Sequence, residues 1–179
     1  DAALIDARAA LDTDFDGLVA HELAHQWFGD LLTCKDWSHA WLNEGFATYF
    51  EVLFTEHDKG TDEALYELWK YGKSYFSEDE RRYRRSIVSA HYKYPWFLFD
   101  RHLYEKGANV LHLVRYILRE RDWWRAIQHY VEKHKNGSVE TADLLTSIQE
   151  ATGKNLRPIF DQWVFGTGYP SFKTQFSWD

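Results

Sequence analysis

Methionine is absent from the sequence and cysteine occurs once, at Cys34. A single thiol cannot close a disulfide within the chain, and it excludes a cysteine-rich structural zinc site. Any metal must therefore be held by histidine and carboxylate. No apolar run approaches the roughly 20 residues that a bilayer-spanning helix needs, and no charged-then-apolar leader opens the chain. No membrane span is expected, and the segment reads as soluble with its compartment unassigned. Basic runs are also lacking. The formal charge is −7, and the one basic cluster, Arg81-Arg82-Tyr83-Arg84-Arg85, directly follows Glu78-Asp79-Glu80. Such a mixed run reads as solvated surface, and no nucleic-acid partner is expected, because neutralising phosphates takes clustered lysine and arginine. The chain starts at Asp1 without a methionine anywhere, so it is expected to be a segment of a longer polypeptide.

Apolar residues make up 45% of the 179 positions, enough to fill the core of one domain or a large part of one. Aromatic residues are plentiful at 18%, so much of that core must be flat rings whose polar tips need partners, and aromatic-lined grooves are expected. Helical spacing dominates the pattern. Apolar positions recur from Leu18 to Phe28, with Asp16 as a candidate cap and Gly29 as a stop. A polar and aromatic link over 33–40 leads to a second helix over 42–55, and a third is read over 62–75. The stretch 77–99, with a short β-prone Ser86-Ile87-Val88, reads as a loop lining the site. Leu103, Val110, Leu111, Val114, Ile117 and Leu118 form one buried face of a helix over 100–119. Asp122 is a candidate cap for a helix running to His134, and Thr141 for one stopping before Gly153. Asn155 precedes a last helix over 157–165, and the tail from Gly166 reads as extended. With no repeat or linker, residues 1–179 read as one mainly α unit.

His21-Glu22-Leu23-Ala24-His25 matches H-E-x-x-H. Residues four apart on a helix sit one turn above each other, so two imidazoles can grip one ion. A catalytic zinc takes three protein ligands and leaves a fourth position open. Glu44, eighteen residues past His25 at the start of the second helix, is the candidate third ligand. Glu22 lies to the side of the histidine face, which suits a general base acting on water rather than a ligand. The metzincin variant is excluded, since Phe28 and Leu31 stand where it needs glycine and a third histidine. Zinc is expected, although the same ligands could take cobalt or manganese. Thr48 and Glu51, four and seven residues past Glu44, are either hydrogen-bonding supports of the ligands or an exposed polar stripe. The remaining histidines, His102 among them, read as surface or core residues.

The run His21-Glu22-Leu23-Ala24-His25-Gln26-Trp27-Phe28-Gly29-Asp30, with Trp41-Leu42-Asn43-Glu44-Gly45-Phe46-Ala47, resembles the membrane alanyl aminopeptidase (aminopeptidase N) family of gluzincins. The likeness continues at Tyr104-Glu105-Lys106-Gly107-Ala108, at Phe160-Asp161-Gln162-Trp163 and at Gly168-Tyr169-Pro170. It implies the helical part of a zincin-like (thermolysin-like) catalytic domain and a zinc metallopeptidase, in the parent protein an aminopeptidase acting on peptide substrates. It also implies that Tyr104 donates a hydrogen bond to the oxyanion of the tetrahedral intermediate. Lys106 and Gly107 are read structurally, as charge pairing and close helix packing. The family's Gly-x-Met-Glu-Asn segment, whose glutamate binds the substrate amine, is absent from a chain without methionine. The upstream sheet is expected to be missing with it, so the remaining domains of the parent chain are expected partners. Two rivals stand beside this reading: an endopeptidase or other hydrolase on the same site, and a binding domain that keeps zinc without catalysis.

Overall fold

The computed structural model describes residues 15–178, and the expectation about how the chain opens falls on residues 1–14, outside them. Seven α-helices carry the described fold: α1 Asp16–Ala24, α2 Trp41–Lys59, α3 Thr61–Arg81, α4 Gly107–Leu118, α5 Glu120–His134, α6 Thr141–Thr152 and α7 Arg157–Trp163. The mainly α reading holds. Among the described residues, no helix is long and apolar enough to cross a membrane.

α2 is the central element, packed against α1, α3 and α4, while α5 and α6 pair beside it. Its burial follows from its composition: Trp41, Leu42, Phe46, Ala47, Tyr49 and Val52 are all within the core. The Phe46 ring stacks on Phe28 at 4.2 Å, and Tyr49 meets Trp123 edge-on at 5.7 Å. Several polar tips find partners, as expected of a ring-built core. Trp41 donates from Nε1 to Thr141 Oγ1 at 2.9 Å, and Tyr49 shares a hydrogen bond with His112 Nδ1 at 3.1 Å. Trp123 Nε1 and Tyr130 OH are buried without one. The expected face of α4 is buried at Val110, Leu111, Val114 and Leu118, with Ile117 partly so. At one point α2 and α4 nearly touch: a Cβ built on Gly107 would lie 3.1 Å from the Cα of Gly45.

Several boundaries differ from the sequence reading. α1 ends at Ala24 rather than Phe28, because the chain turns through 25–31, with Asp30, Leu31 and Leu32 donating back to the carbonyls of His25, Gln26 and Trp27. Asp16 is the first helical residue rather than the cap. The link 33–40 holds a short strand, β1 Leu32–Cys34, and a 3₁₀ turn Trp37–His39 started by Asp36, which accepts the Ser38 N–H at 2.9 Å. β1 pairs in parallel with β2 Gly137–Val139, register Thr33 to Ser138. α3 runs six residues past the expected end into the charged stretch, and Ser86-Ile87-Val88 forms no strand. The helix expected from Asp100 to Arg119 opens as a π-helical turn, His102–Lys106, before α4 begins. Asp122 lies inside the first turn of α5, and the residue before that helix is Arg119, at φ 67°. Glu140 rather than Thr141 caps α6, exchanging hydrogen bonds with Asp143 in a capping box. α6 stops at Gly153 in the left-handed conformation, as its position suggested.

Candidate metal centre

His21 sits on α1 and His25 one residue past its end. His25 nevertheless keeps helical dihedrals, φ −61° and ψ −21°, so the i, i+4 stacking survives and the ring centroids lie 4.9 Å apart. Glu44, in the first turn of α2, faces both. Its Oε2 is 3.4 Å from His21 Nε2 and 3.2 Å from His25 Nε2, and one ligand atom from each of the three lies within 4.8 Å of the others. The arrangement thus brings together the three residues that sequence spacing singled out.

The far side of each imidazole is also engaged. His25 Nδ1 lies 3.0 Å from the Phe28 carbonyl, which can only accept, so Nδ1 carries a proton and Nε2 is the ring nitrogen turned to Glu44, donating to it without a metal and free to give its lone pair to one. His21 Nδ1 lies 3.6 Å from Glu51 Oε2. Of the two supports considered from sequence, Glu51 therefore reaches a ligand, whereas the Thr48 hydroxyl is buried without a partner.

The electrostatics fit a cation. Burial opposes a charged His21, yet the Glu44 and Glu51 carboxylates raise it to about 9. The hydrogen bond to Glu44 is the largest influence raising His25. Burial works against ionised Glu44, but the two imidazoles hold it down to about 2. In the metal-free protein this pocket gathers protons. Two imidazole nitrogens and a carboxylate oxygen converging at this spacing are a donor set that zinc accepts.

Tyr104 arrives on the π-helical turn, a local widening that recurs at functional sites. Its ring stacks over His21 at 6.3 Å and 27°. Burial, reinforced by the Glu44 charge, pushes its hydroxyl above the usual tyrosine range, so it is a neutral donor. Glu22 is exposed, close enough for its charge to act on Tyr104. Beside Tyr104 opens a cavity of about 430 Å³ whose walls include Trp96, Phe97 and Phe99. The end of the irregular stretch does adjoin the site, where Phe99 packs against Tyr104, but the cavity there also carries Glu78, Arg82, Asp100 and Arg101, so its lining is mixed rather than aromatic.

Two features were not foreseen. Lys106 is buried and makes no ion pair among the described residues, contrary to the expected charge pairing; its amine lies 5.2 Å from the Tyr75 ring centre, and burial lowers it to about 8. His102, fully buried, lies among Glu78, Asp79 and Asp100 at 3.4 to 3.6 Å. The Glu78, Asp100 and His102 atoms also approach metal-binding spacing. Asp100 is already saturated there, accepting from Arg85 Nη2 at 2.6 Å, Tyr83 OH at 2.8 Å and the N–H of His102 at 3.0 Å. That cluster is a structural brace for the π-helical turn. No regular spacing of these residues in the sequence announces it.

Comparison with known proteins gives the family and the fold. The Peptidase family M1 domain matches residues 3–163. Probable aminopeptidase 1 of Saccharolobus solfataricus is 35% identical over 163 residues, covering 86% of this chain and 20% of its own length. Aminopeptidase 2 of Candida albicans is 32% identical over 169 residues, covering 88% of this chain and 17% of its own. The crystal structure of an M1 zinc metallopeptidase from Deinococcus radiodurans superposes with a TM-score of 0.72 at 29% identity, over 87% of this chain and 34% of that one. The chain thus spans about a fifth of the length of these curated relatives.

Proposed function

The chain belongs to peptidase family M1, and from that premise we propose that it is the metal-holding, helical portion of a zinc aminopeptidase's catalytic domain, which in the full protein removes N-terminal residues from peptides. The observation that carries the reading is the convergence of His21 Nε2, His25 Nε2 and Glu44 Oε2 within 4.8 Å, with the Tyr104 ring stacked beside them. His21, His25 and Glu44 would hold zinc. Bound zinc supplies Lewis acidity, bringing the pKa of a water toward 7 and polarising a carbonyl. The Glu22 carboxylate accepts the proton from the attacking water and returns it to the leaving amine nitrogen. Tyr104, held neutral, donates its hydroxyl proton in a hydrogen bond to the carbonyl oxygen as negative charge grows there.

The test measures zinc content and hydrolysis of a free-amine aminoacyl substrate and its N-blocked counterpart, on the protein and on Glu22→Gln. Zinc in both, with free-amine turnover only in the unmutated protein, is the expected result. Turnover of the blocked substrate would favour an endopeptidase, and zinc in both with activity in neither would favour a non-catalytic zinc domain. Absence of zinc from both would sink the metal assignment.

A further inference from the structure

Behind the candidate ligands, on the side away from the metal position, three helices meet at one carboxylate. Glu51 follows Glu44 by two helical turns, so both project from the same face of α2. Its Oε2 lies 3.6 Å from His21 Nδ1. A carboxylate can only accept, so it selects the tautomer with the proton on Nδ1 and leaves the Nε2 lone pair for a metal. The two imidazoles are therefore supported unequally. His25 leans on a neutral carbonyl, His21 on a formal negative charge.

Glu51 also has a neighbour on α3. Tyr71 is near enough to Glu51 for that carboxylate's charge to act on its hydroxyl, and burial together with the charges of Glu51 and Glu67 keeps the hydroxyl protonated, a donor facing an acceptor. From α1, Gly17 makes the room: a Cβ there would lie 3.0 Å from Glu51 Oε1 and 3.4 Å from its Cγ. Gly17 precedes His21 by one helical turn, so the same helix that presents the imidazole also leaves the gap for its support.

We propose that Glu51 and Tyr71 are a positioning pair that sets how tightly the centre holds its metal, with Gly17 keeping the space the pair occupies. The inference rests on the zinc reading above. Partners behind a ligand orient it and strengthen its donor nitrogen, and removing one typically weakens metal affinity about 10- to 100-fold.

The experiment measures the zinc dissociation constant by chelator competition for the protein, Glu51→Gln, Tyr71→Phe and Gly17→Ala. The unfolding midpoint of each in excess chelator is the structural control. Glu51→Gln keeps the shape but loses the charge, and its amide can donate to Nδ1, so it favours the wrong tautomer. It is expected to bind zinc at least about tenfold more weakly with little change in the metal-free midpoint. Tyr71→Phe should weaken binding less, and Gly17→Ala should follow Glu51→Gln, since the methyl group displaces the carboxylate. Zinc affinity within twofold of the unmutated protein in Glu51→Gln would overturn the proposal. So would a loss of affinity that merely tracks a lower metal-free midpoint, which would mean the residue is structural. If the unmutated protein binds no zinc, the metal reading itself fails, an outcome distinct from both.

Discussion

Replacing Gly107 by alanine would put a methyl carbon 3.1 Å from the Cα of Gly45, where α2 and α4 approach most closely. Carbon atoms rest at about 3.5–4.0 Å, so the helices must part by about half an ångström or the methyl must stay compressed. Overpacking of this kind costs about 1–3 kcal/mol, while alanine's better helix propensity returns up to about 1, so a net loss of about 1 kcal/mol is expected. Gly72 in α3 is the matched control, because a Cβ there meets nothing within 4 Å. Gly72→Ala should gain about 0.5–1 kcal/mol, which separates the two variants by about 2 kcal/mol in urea unfolding. The same substitution reaches the site. Gly45 follows Glu44, and Gly107 comes three residues after Tyr104, so parting the helices moves the hydroxyl donor away from the metal ligands. A displacement near 1 Å can cost about 100-fold, so kcat/KM on a free-amine substrate should fall on the order of tenfold while zinc content stays level. Equal stabilisation by both alanines, with activity unchanged, would refute the claim that contact between these glycines sets the geometry.

Two further outcomes follow from buried charge. Lys106→Met should stabilise the protein at pH 7 by on the order of 1–3 kcal/mol, since it removes a buried ammonium without an ion-pair partner. The native amine titrates at about 8 against 10.5 in the unfolded chain, so the unfolded state holds more protons between those values. The native protein should therefore gain stability as pH rises from about 8 to 10.5, and the advantage of the methionine variant should shrink over that window; a pH-independent difference in unfolding free energy would contradict this. Asp100→Ala should cost about 3–5 kcal/mol, because it leaves the largely buried Arg85 guanidinium with carbonyl partners but no counter-charge and uncaps the π-helical turn at His102 and Leu103. Urea unfolding checks it, and a loss under 1 kcal/mol would mean that Arg85 finds water instead.

What could be read from the sequence was what depends on local periodicity. His21, His25 and Glu44 were found because helical pitch alone brings two of them together and a short reversal delivers the third. The buried face of α4 was legible for the same reason. Tyr104 was different: the sequence alone reads it as a core aromatic on a long helix, and the role proposed for it rests on resemblance to a family. The choice between Thr48 and Glu51 could not be made from sequence, because both fall on the ligand face of α2 and only side-chain reach separates them. Lys106 was misread because lysine in a motif suggests pairing, while its burial is decided by how α3, α4 and Tyr75 close around it. The π-helical turn escaped because one extra residue per turn barely changes an apolar pattern, and its first N–H groups are capped by Asp100, whose pairing with Arg85 joins positions 15 apart with no regular spacing.

β1 and β2 are three residues each, yet they have a disproportionate effect on the order in which the chain can assemble. The clasp they form, with the Lys35–Glu140 ion pair at its end, joins positions 105 apart in the chain. His21, His25 and Glu44, by contrast, belong to adjacent helices. Local helix pairs organise faster than contacts that close a long loop, so the ligand trio can be assembled before the clasp shuts. On the zinc reading proposed above, a nascent or partly unfolded chain would offer its three candidate ligands early, and the ladder would act afterwards as a latch on the turn that follows His25. Breaking the ladder should accordingly appear first as faster protease cleavage in that turn, ahead of any loss of the helices themselves.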